Sequence, residues 1–251
     1  MDSSSEIPDL PPASLIEQIL LRHLFELLLN SPGVERIESQ LLLHASGFHA
    51  DLFNESGFTL FKRIFMVQSL DGRWSEPRFT LPERLELRSW REEDLPAAAQ
   101  LICNSYEAHP DSLINDQYRS LHGSMRFLNN IVHYSGCGNF SPLASQGIFD
   151  RRNGEMIALV LGSRISQHSG HITQLCVNSA WRHQGLAHIL LSMAAYRFLR
   201  LGTARISLTV TGVNAPAIAL YESEGYHQEH TFDATVWQRK GVLSFLSNLI
   251  A

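Results

Sequence analysis

The sequence predicts a mixed α+β (α/β) protein, and three observations carry that prediction. Along the 251 residues, apolar positions switch repeatedly between three-to-four-residue and two-residue spacing, so helices and strands alternate throughout. Asn153-Gly154 separates two strand-like runs and is the residue pair that a tight hairpin demands, so part of the sheet is antiparallel. A buried-looking strand, Ile172 to Val177, ends in a polar loop that opens a long helix from Gly185 to Leu201. With 44% hydrophobic and 18% charged residues, the chain can bury a sizeable core, which excludes wholesale disorder.

In the first 80 residues, Leu15, Ile19, Leu20, Leu24, Leu27 and Leu28 fall at helical spacing, and Ser31-Pro32-Gly33 stops that helix. A strand over Val34 to Leu43, a short helix over Ala50 to Ser56 and a strand over Thr59 to Ser69 follow. Asp71-Gly72 is a turn signal, and Ser75 to Pro82 reads as a linker.

A second unit spans residues 83–240. It opens with a strand over Arg84 to Arg88 and a helix to about Ala108, whose Glu92-Glu93-Asp94 start suits the positive end of the helix dipole. Another helix is expected from Asn115 to Val132, then strands Gln146 to Phe149, Glu155 to Ile165 and His171 to Val177. The long helix stops at Gly202; a strand over Ala204 to Val210, a helix over Ala215 to Glu224 and strands over His227 to Arg239 complete the unit. Residues 241–251 read as a short amphipathic tail.

Composition narrows the function. A formal net charge of −5 argues against a general nucleic-acid binder. The three cysteines are widely spaced and give no disulfide framework. The N-terminus has no secretory signal, and the greasy stretch Leu15 to Leu29 carries Glu17, Arg22, His23 and Glu26, so no membrane span is expected. The default is a soluble, cytoplasmic protein. His168 and His171 face opposite sides of a strand, so no metal site is expected. Gly136-Cys137-Gly138 beside His133 lacks the strand-to-helix elbow of a thiol nucleophile.

A weak internal repeat is present. Leu52-Phe53-Asn54-Glu55-Ser56-Gly57-Phe58 resembles Leu220-Tyr221-Glu222-Ser223-Glu224-Gly225-Tyr226, and the same element order precedes both. The first 80 residues thus read as the C-terminal half of a second copy of the main unit, the alternative being an unrelated αβαβ appendage. Pro8, Pro11, Pro12 and the acidic residues before its helix leave no phosphate loop there, so this copy is expected to bind no ligand of its own. Its apolar helix is expected to pack against the main unit or a second subunit, which allows a homodimer.

The informative segment is His171 to Ala187. Free N–H groups at a helix start form an anion site; Gly185 permits close approach, and Arg182 and His183 add charge. This loop, Arg182-His183-Gln184-Gly185-Leu186-Ala187, is similar to the acyl-CoA pyrophosphate loop of the GNAT superfamily of N-acetyltransferases, with Ala187 where Gly is common. Asn214 to Tyr226 resembles that family's N-x-x-A-x-x-L-Y-x-x-x-G-F/Y segment, through Asn214, Ala217, Leu220, Tyr221, Gly225 and Tyr226.

The resemblance implies the GNAT fold, a mostly antiparallel sheet splayed between two strands, and transfer of acetyl from acetyl-CoA to a primary amine by direct attack. It implies that the backbone of Leu175, Cys176 and Val177 holds the pantetheine arm and that Arg182 to His188 hold the pyrophosphate, His188 included. Asn214 and Tyr221 would line the thioester end with Ala217, and Tyr221 would protonate the leaving thiolate. His171 falls where family members often place a base, an imidazole near pKa 6.5 suits the task, and a water relay is the other option. Glu107 and His109 are weaker candidates on the substrate side. The partners implied are acetyl-CoA and an amine acceptor, a small molecule or a protein N-terminus. The alternative is a non-catalytic acyl-CoA-binding or scaffold protein of the same fold, because no carboxylate base stands out. Tyr106 to Phe140 carries no motif that names an acceptor.

Overall fold

The computed structural model describes residues 13–71, 75–107, 109–136 and 138–239. The tail at 241–251, the prolines before the first helix, Gly72 and Cys137 lie outside the described residues. Residues 13–69 form α1 (Ala13–Asn30), β1 (Arg36–Gln40), α2 (Ala50–Glu55) and β2 (Thr59–Ser69). Then come β3 (Leu85–Ser89), α3 (Leu95–Ser105), α4 (Asp111–Ile114), α5 (Leu121–His133), β4 (Asn139–Phe140), β5 (Gln146–Asp150), β6 (Met156–Arg164) and β7 (Ser169–Val177). The chain continues through α6 (Leu186–Arg200), β8 (Arg205–Thr211), α7 (Ala215–Ser223) and β9 (His227–Gln238).

One nine-stranded sheet runs β1-β9-β2-β8-β7-β6-β5-β3, with β4 beside β6. Every pairing is antiparallel except β7 with β8, as the hairpin at Asn153-Gly154 foreshadows for β5 and β6. β6 is buried from Met156 to Ser163 because both of its faces are covered. On one face α6 inserts Leu190, Ala194 and Phe198; on the other α3 and α5 insert Ile102 and Leu128. Gly162 on β6 and Gly170 on β7 make room for the Phe198 ring, since a Cβ at either would lie 2.7 Å from it.

Three elements differ from expectation. The helix predicted from Asn115 to Val132 is broken: after α4 and a single 3-10 turn at Asp116–Arg119, Ser120 caps a fresh start by accepting from the Gly123 N–H at 3.0 Å. Gly123 sits so close to this turn that a Cβ would lie 2.5 Å from the Gln117 carbonyl oxygen. The strand over Val34 to Leu43 shortens to Arg36–Gln40. The first 80 residues are also more than an appendage packed by its helix: β2 lies between β8 and β9, inside the main sheet. Pattern reading gives a strand's period but not its neighbour, so this insertion was invisible in the sequence.

The α1–β2 segment has its own small core, in which Phe25, Leu52, Phe53 and Phe58 meet, while Leu20 and Leu27 of α1 remain exposed. No helix among the described residues is long and apolar enough to cross a membrane. The turns ending α2 and α7 have the same hydrogen bonds. In one, the N–H groups of Ser56, Gly57 and Phe58 donate to the carbonyls of Leu52, Asn54 and Phe53; in the other, those of Glu224, Gly225 and Tyr226 donate to Leu220, Glu222 and Tyr221. Gly57 and Gly225 have φ of 81° and 89°, the left-handed conformation that favours glycine. Phe53 and Phe58 meet edge to face, as do Tyr221 and Tyr226.

Candidate active site

β7 and β8 pair only at Ser169, Gly170 and His171 against Arg205, Ile206 and Ser207. Beyond His171 the two strands part, held on their outer edges by β6 and β2. The gap opens into a cleft of about 710 Å³ lined by Leu175, Cys176 and Val177 on one side and Leu208 to Val210 on the other. Unpaired strand edges are costly unless a ligand or water satisfies them.

At the mouth of the cleft the chain turns into α6. His183 has φ of 61° and Gly185 has φ of 74°, and these two left-handed residues fold the loop tightly before the helix. The N–H groups from His183 to His188 have no backbone acceptor among the described residues, because the first helical bond runs from Ile189 to the Gly185 carbonyl. A Cβ added at Gly185 would meet nothing within 4 Å, so the chain is open to its surroundings at that point. This end is a ready anion cradle.

The predicted loop residues divide. All of Arg182 to His188 except Gln184 line the cleft. The Arg182 guanidinium is partly committed to the protein: Nε donates to the Val177 carbonyl at 3.4 Å and Nη2 to the Ser105 carbonyl at 3.3 Å. The His188 ring turns away to pair through Nδ1 with Glu224, which also accepts from Ser192 Oγ at 3.2 Å, so His188 offers the cradle its backbone N–H. The Cys176 thiol points into the α3–α5 core, where burial pushes its pKa up to about 12 and leaves it inert.

Asn214, Ala217 and Tyr221 all line the cleft. Asn214 caps α7, its Oδ1 accepting from the Ala217 N–H at 3.3 Å. Burial pushes the Tyr221 phenol up, so it stays protonated at neutral pH and is available as a proton donor.

His171 is placed elsewhere. It sits where β7 and β8 still pair and is absent from the cleft wall; its Nδ1 lies 2.9 Å from Ser207 Oγ, and its ring stacks at 6.2 Å on Phe65. Burial lowers its pKa to about 4. The base role expected for His171 therefore has no geometric support: the splay starts one residue later, so the imidazole stays inside the paired part of the sheet.

His109 does line the cleft. Its Nδ1 accepts from the Asp111 N–H at 3.1 Å, while Nε2 faces Asn214 Nδ2 at 3.4 Å. A neutral imidazole has a single lone pair; with Nδ1 accepting, Nε2 carries the ring proton beside the Asn214 amide, and a second proton, on Nδ1, would set N–H against the Asp111 N–H. Burial, the main cause, lowers the His109 pKa in the same direction.

Sequence reasoning missed the far wall. Tyr106 and Tyr118 stack with centroids 4.3 Å apart, and Gln174 ties them together, donating to Tyr106 Oη at 2.9 Å and accepting from Tyr118 Oη at 3.4 Å. Arg63 enters from β2 and meets Asp111 at 3.4 Å. The one signal in the sequence is Lys62-Arg63, a charged pair in a strand whose other residues are uncharged. Among the described residues no group of three His, Cys, Asp or Glu side chains could hold a metal ion.

Comparison with known proteins agrees with this geometry. The family described as Acetyltransferase (GNAT) matches residues 84–226. No curated protein sequence matches the chain. Among solved structures, a GCN5-related N-acetyltransferase from Sphaerobacter thermophilus superposes with a TM-score of 0.65 at 17% identity, over 91% of this chain and 69% of its own. A tandem GNAT protein from the clavulanic acid biosynthesis pathway gives a TM-score of 0.58 at 11% identity, over 92% of this chain and 72% of its own. A GCN5-related N-acetyltransferase from Kribbella flavida gives 0.50 at 16% identity, over 84% and 70%. A splayed sheet with an anion cradle at the next helix, together with a family match over more than half its length, places this chain in the GNAT family of acetyltransferases.

Proposed function

We infer that the chain is an acetyl-CoA-dependent N-acetyltransferase that acts on a primary amine by direct attack on the thioester. The observation that carries this reading is the cleft itself: the β8-facing edge of Leu175 to Val177, which no strand pairs, leads from the anion cradle at Arg182–His188 to the phenol of Tyr221. Acetyl-CoA supplies the activated acetyl group. The cradle suits the pyrophosphate, the free β7 edge suits the pantetheine amides, and a β7 N–H is positioned to meet the carbonyl oxygen as charge develops on it. Tyr221 donates the proton that the leaving thiolate requires.

The acceptor must first lose a proton. A primary ammonium near pKa 10.4 is neutral in about one part in a few thousand at pH 7, a penalty of roughly 4.6 kcal/mol. With His171 outside the cleft and the single lone pair of neutral His109 already accepting from the Asp111 N–H, water passing the proton out along the cleft is the assignment that fits.

In the same reading, residues 1–80 are a degenerate half-copy and 83–240 the catalytic unit. The matching turns after α2 and α7 support it, as does the sheet order β1-β9-β2-β8, which reads the same backwards when β1 exchanges with β8 and β2 with β9. The likeness to a tandem GNAT protein over 92% of the chain points the same way. One cradle implies one acetyl-CoA per chain.

The test is titration calorimetry with acetyl-CoA alongside CoA-thiol release across a panel of amines and peptide N-termini. One-to-one binding with amine-dependent thiol release is expected. Binding without release to any amine would favour the non-catalytic reading, and absence of binding would sink both.

A further inference from the structure

We propose that the acceptor end of the cleft takes a small amine that also carries a carboxylate, an amino acid or a close relative, and that Arg63 receives the carboxylate. The proposal rests on the acetyl-transfer reading above and names its acceptor class.

Arg63 and Asp111 line the cleft, with side chains 12% and 18% exposed. Arg63 Nη1 donates to Asp111 Oδ1 at 3.4 Å and to Thr211 Oγ1, and the Thr211 hydroxyl donates to the same Asp111 oxygen. That exhausts the protein partners of the guanidinium among the described residues. Nε is sealed and has no acceptor, and Nη2 receives none. A carboxylate in the cleft cannot reach the sealed Nε, but Nη2 keeps two unspent N–H donors for it. Asp111 Oδ2 likewise has no protein hydrogen bond and can hold an ammonium.

Charge separates this class of acceptor from others. Apart from histidines, the charged side chains on the cleft wall are Arg63, Arg182 and Asp111. A polyamine or basic peptide would bring several positive charges to one carboxylate already engaged by Arg63. A zwitterion adds no net charge and gives the unspent donors an acceptor. Elsewhere on the cleft wall the hydroxyls of Tyr106 and Tyr118 are occupied by Gln174, which leaves ring surface for a short carbon chain.

The wall is also held still. Arg36 Nη2 donates to the carbonyls of Leu113 and Ile114 at 2.7 and 3.2 Å, and Glu38 accepts from the Asp116 N–H at 3.3 Å. Residues 13–69 thus supply one charged group to the acceptor site and brace the segment that supplies the other.

The experiment compares kcat/KM for CoA-thiol release by the full chain, using amino acids of increasing chain length, the carboxamide of each, and putrescine. The acid form of the best substrate should exceed its carboxamide by about tenfold to a hundredfold, the range for a charge-assisted hydrogen bond. Arg63→Gln should cut that ratio at least tenfold, through KM, and Arg63→Lys should restore part of it. Acetyl-CoA calorimetry and a thermal melt report whether the variants remain folded. If they do not, calorimetry of the best amino acid and its carboxamide on CoA-saturated wild type decides. Thiol release with carboxamides or putrescine at the same efficiency as with amino acids would overturn this inference and leave the acetyl-transfer reading standing. Absence of release with every amine would overturn that reading, and equal binding of acid and carboxamide would then overturn this one as well.

Discussion

At Gly185 the backbone has φ of 74°, in a loop whose six N–H groups from His183 to His188 have no backbone acceptor among the described residues. Gly185→Glu should abolish CoA binding by calorimetry while circular dichroism stays native; unchanged affinity would remove the loop from pyrophosphate binding. Gly185→Ala tests the conformation alone and should cost roughly 1 kcal/mol of stability. Tyr221→Phe keeps the ring but loses the proton, so turnover should fall roughly 10²–10⁴-fold with CoA affinity retained. A loss within about threefold would exclude the phenol as the acid. His171 makes a different prediction. In the unfolded chain it titrates near 6.5, in the fold near 4, so only the unfolded state takes up its proton between those values. Stability is therefore fully present above about pH 6.5 and is lost as pH falls toward 4, by roughly 3 kcal/mol at most. His171→Gln should flatten that slope in denaturant titrations at pH 7 and 4.5, with little change in turnover; a large turnover loss with unchanged stability would return His171 to the mechanism.

The elements were legible where local chemistry decides them. The Asn153-Gly154 turn, the stop at Gly202 and the long helix after the glycine loop all fall within a residue or two of expectation, since each is set by neighbouring residues. The break between α4 and α5 was not, because it depends on Gly123 packing against the Gln117 carbonyl, a contact that pattern does not encode. The loop end of the candidate site could be located from sequence for the same reason: one strand, loop and helix carry it. The Arg63–Asp111 end could not, because the two meet across 48 residues. Packing at element scale is testable at the sheet beneath α6. Phe198 is fully buried and fills the space over Gly162 and Gly170. Gly162→Val should force that ring to move and cost about 1–3 kcal/mol in denaturant unfolding. Phe198→Leu should cost on its own, yet recover part of the loss in the double variant. Additive losses would show that the two sites do not share this space.

At the scale of the molecule, the segment that reads as a separate N-terminal unit is a structural requirement of the family-matched one. β9 pairs only with β1 and β2, both of which come from the first 69 residues. β2 also covers the β8 edge from Arg205 to Thr211, the strand that forms one wall of the cleft. Removing residues 1–80 would leave β8 with a bare edge and β9 with no partner, and Phe232, Ala234 and Val236 would lose the strands that flank them. An unpaired apolar edge of that length is an aggregation template. The fragment 83–251 should accordingly give no cooperative thermal transition and no CoA binding, although it contains the whole family match at 84–226 and every residue of the anion cradle. Supplying residues 1–75 as a second chain should restore both, because the break falls in residues 75–82, which form neither helix nor strand. A fragment that melts cooperatively near the full-length temperature and binds CoA with full-length affinity would show that β9 can close the sheet on β8 unaided, and that the inserted strand is dispensable.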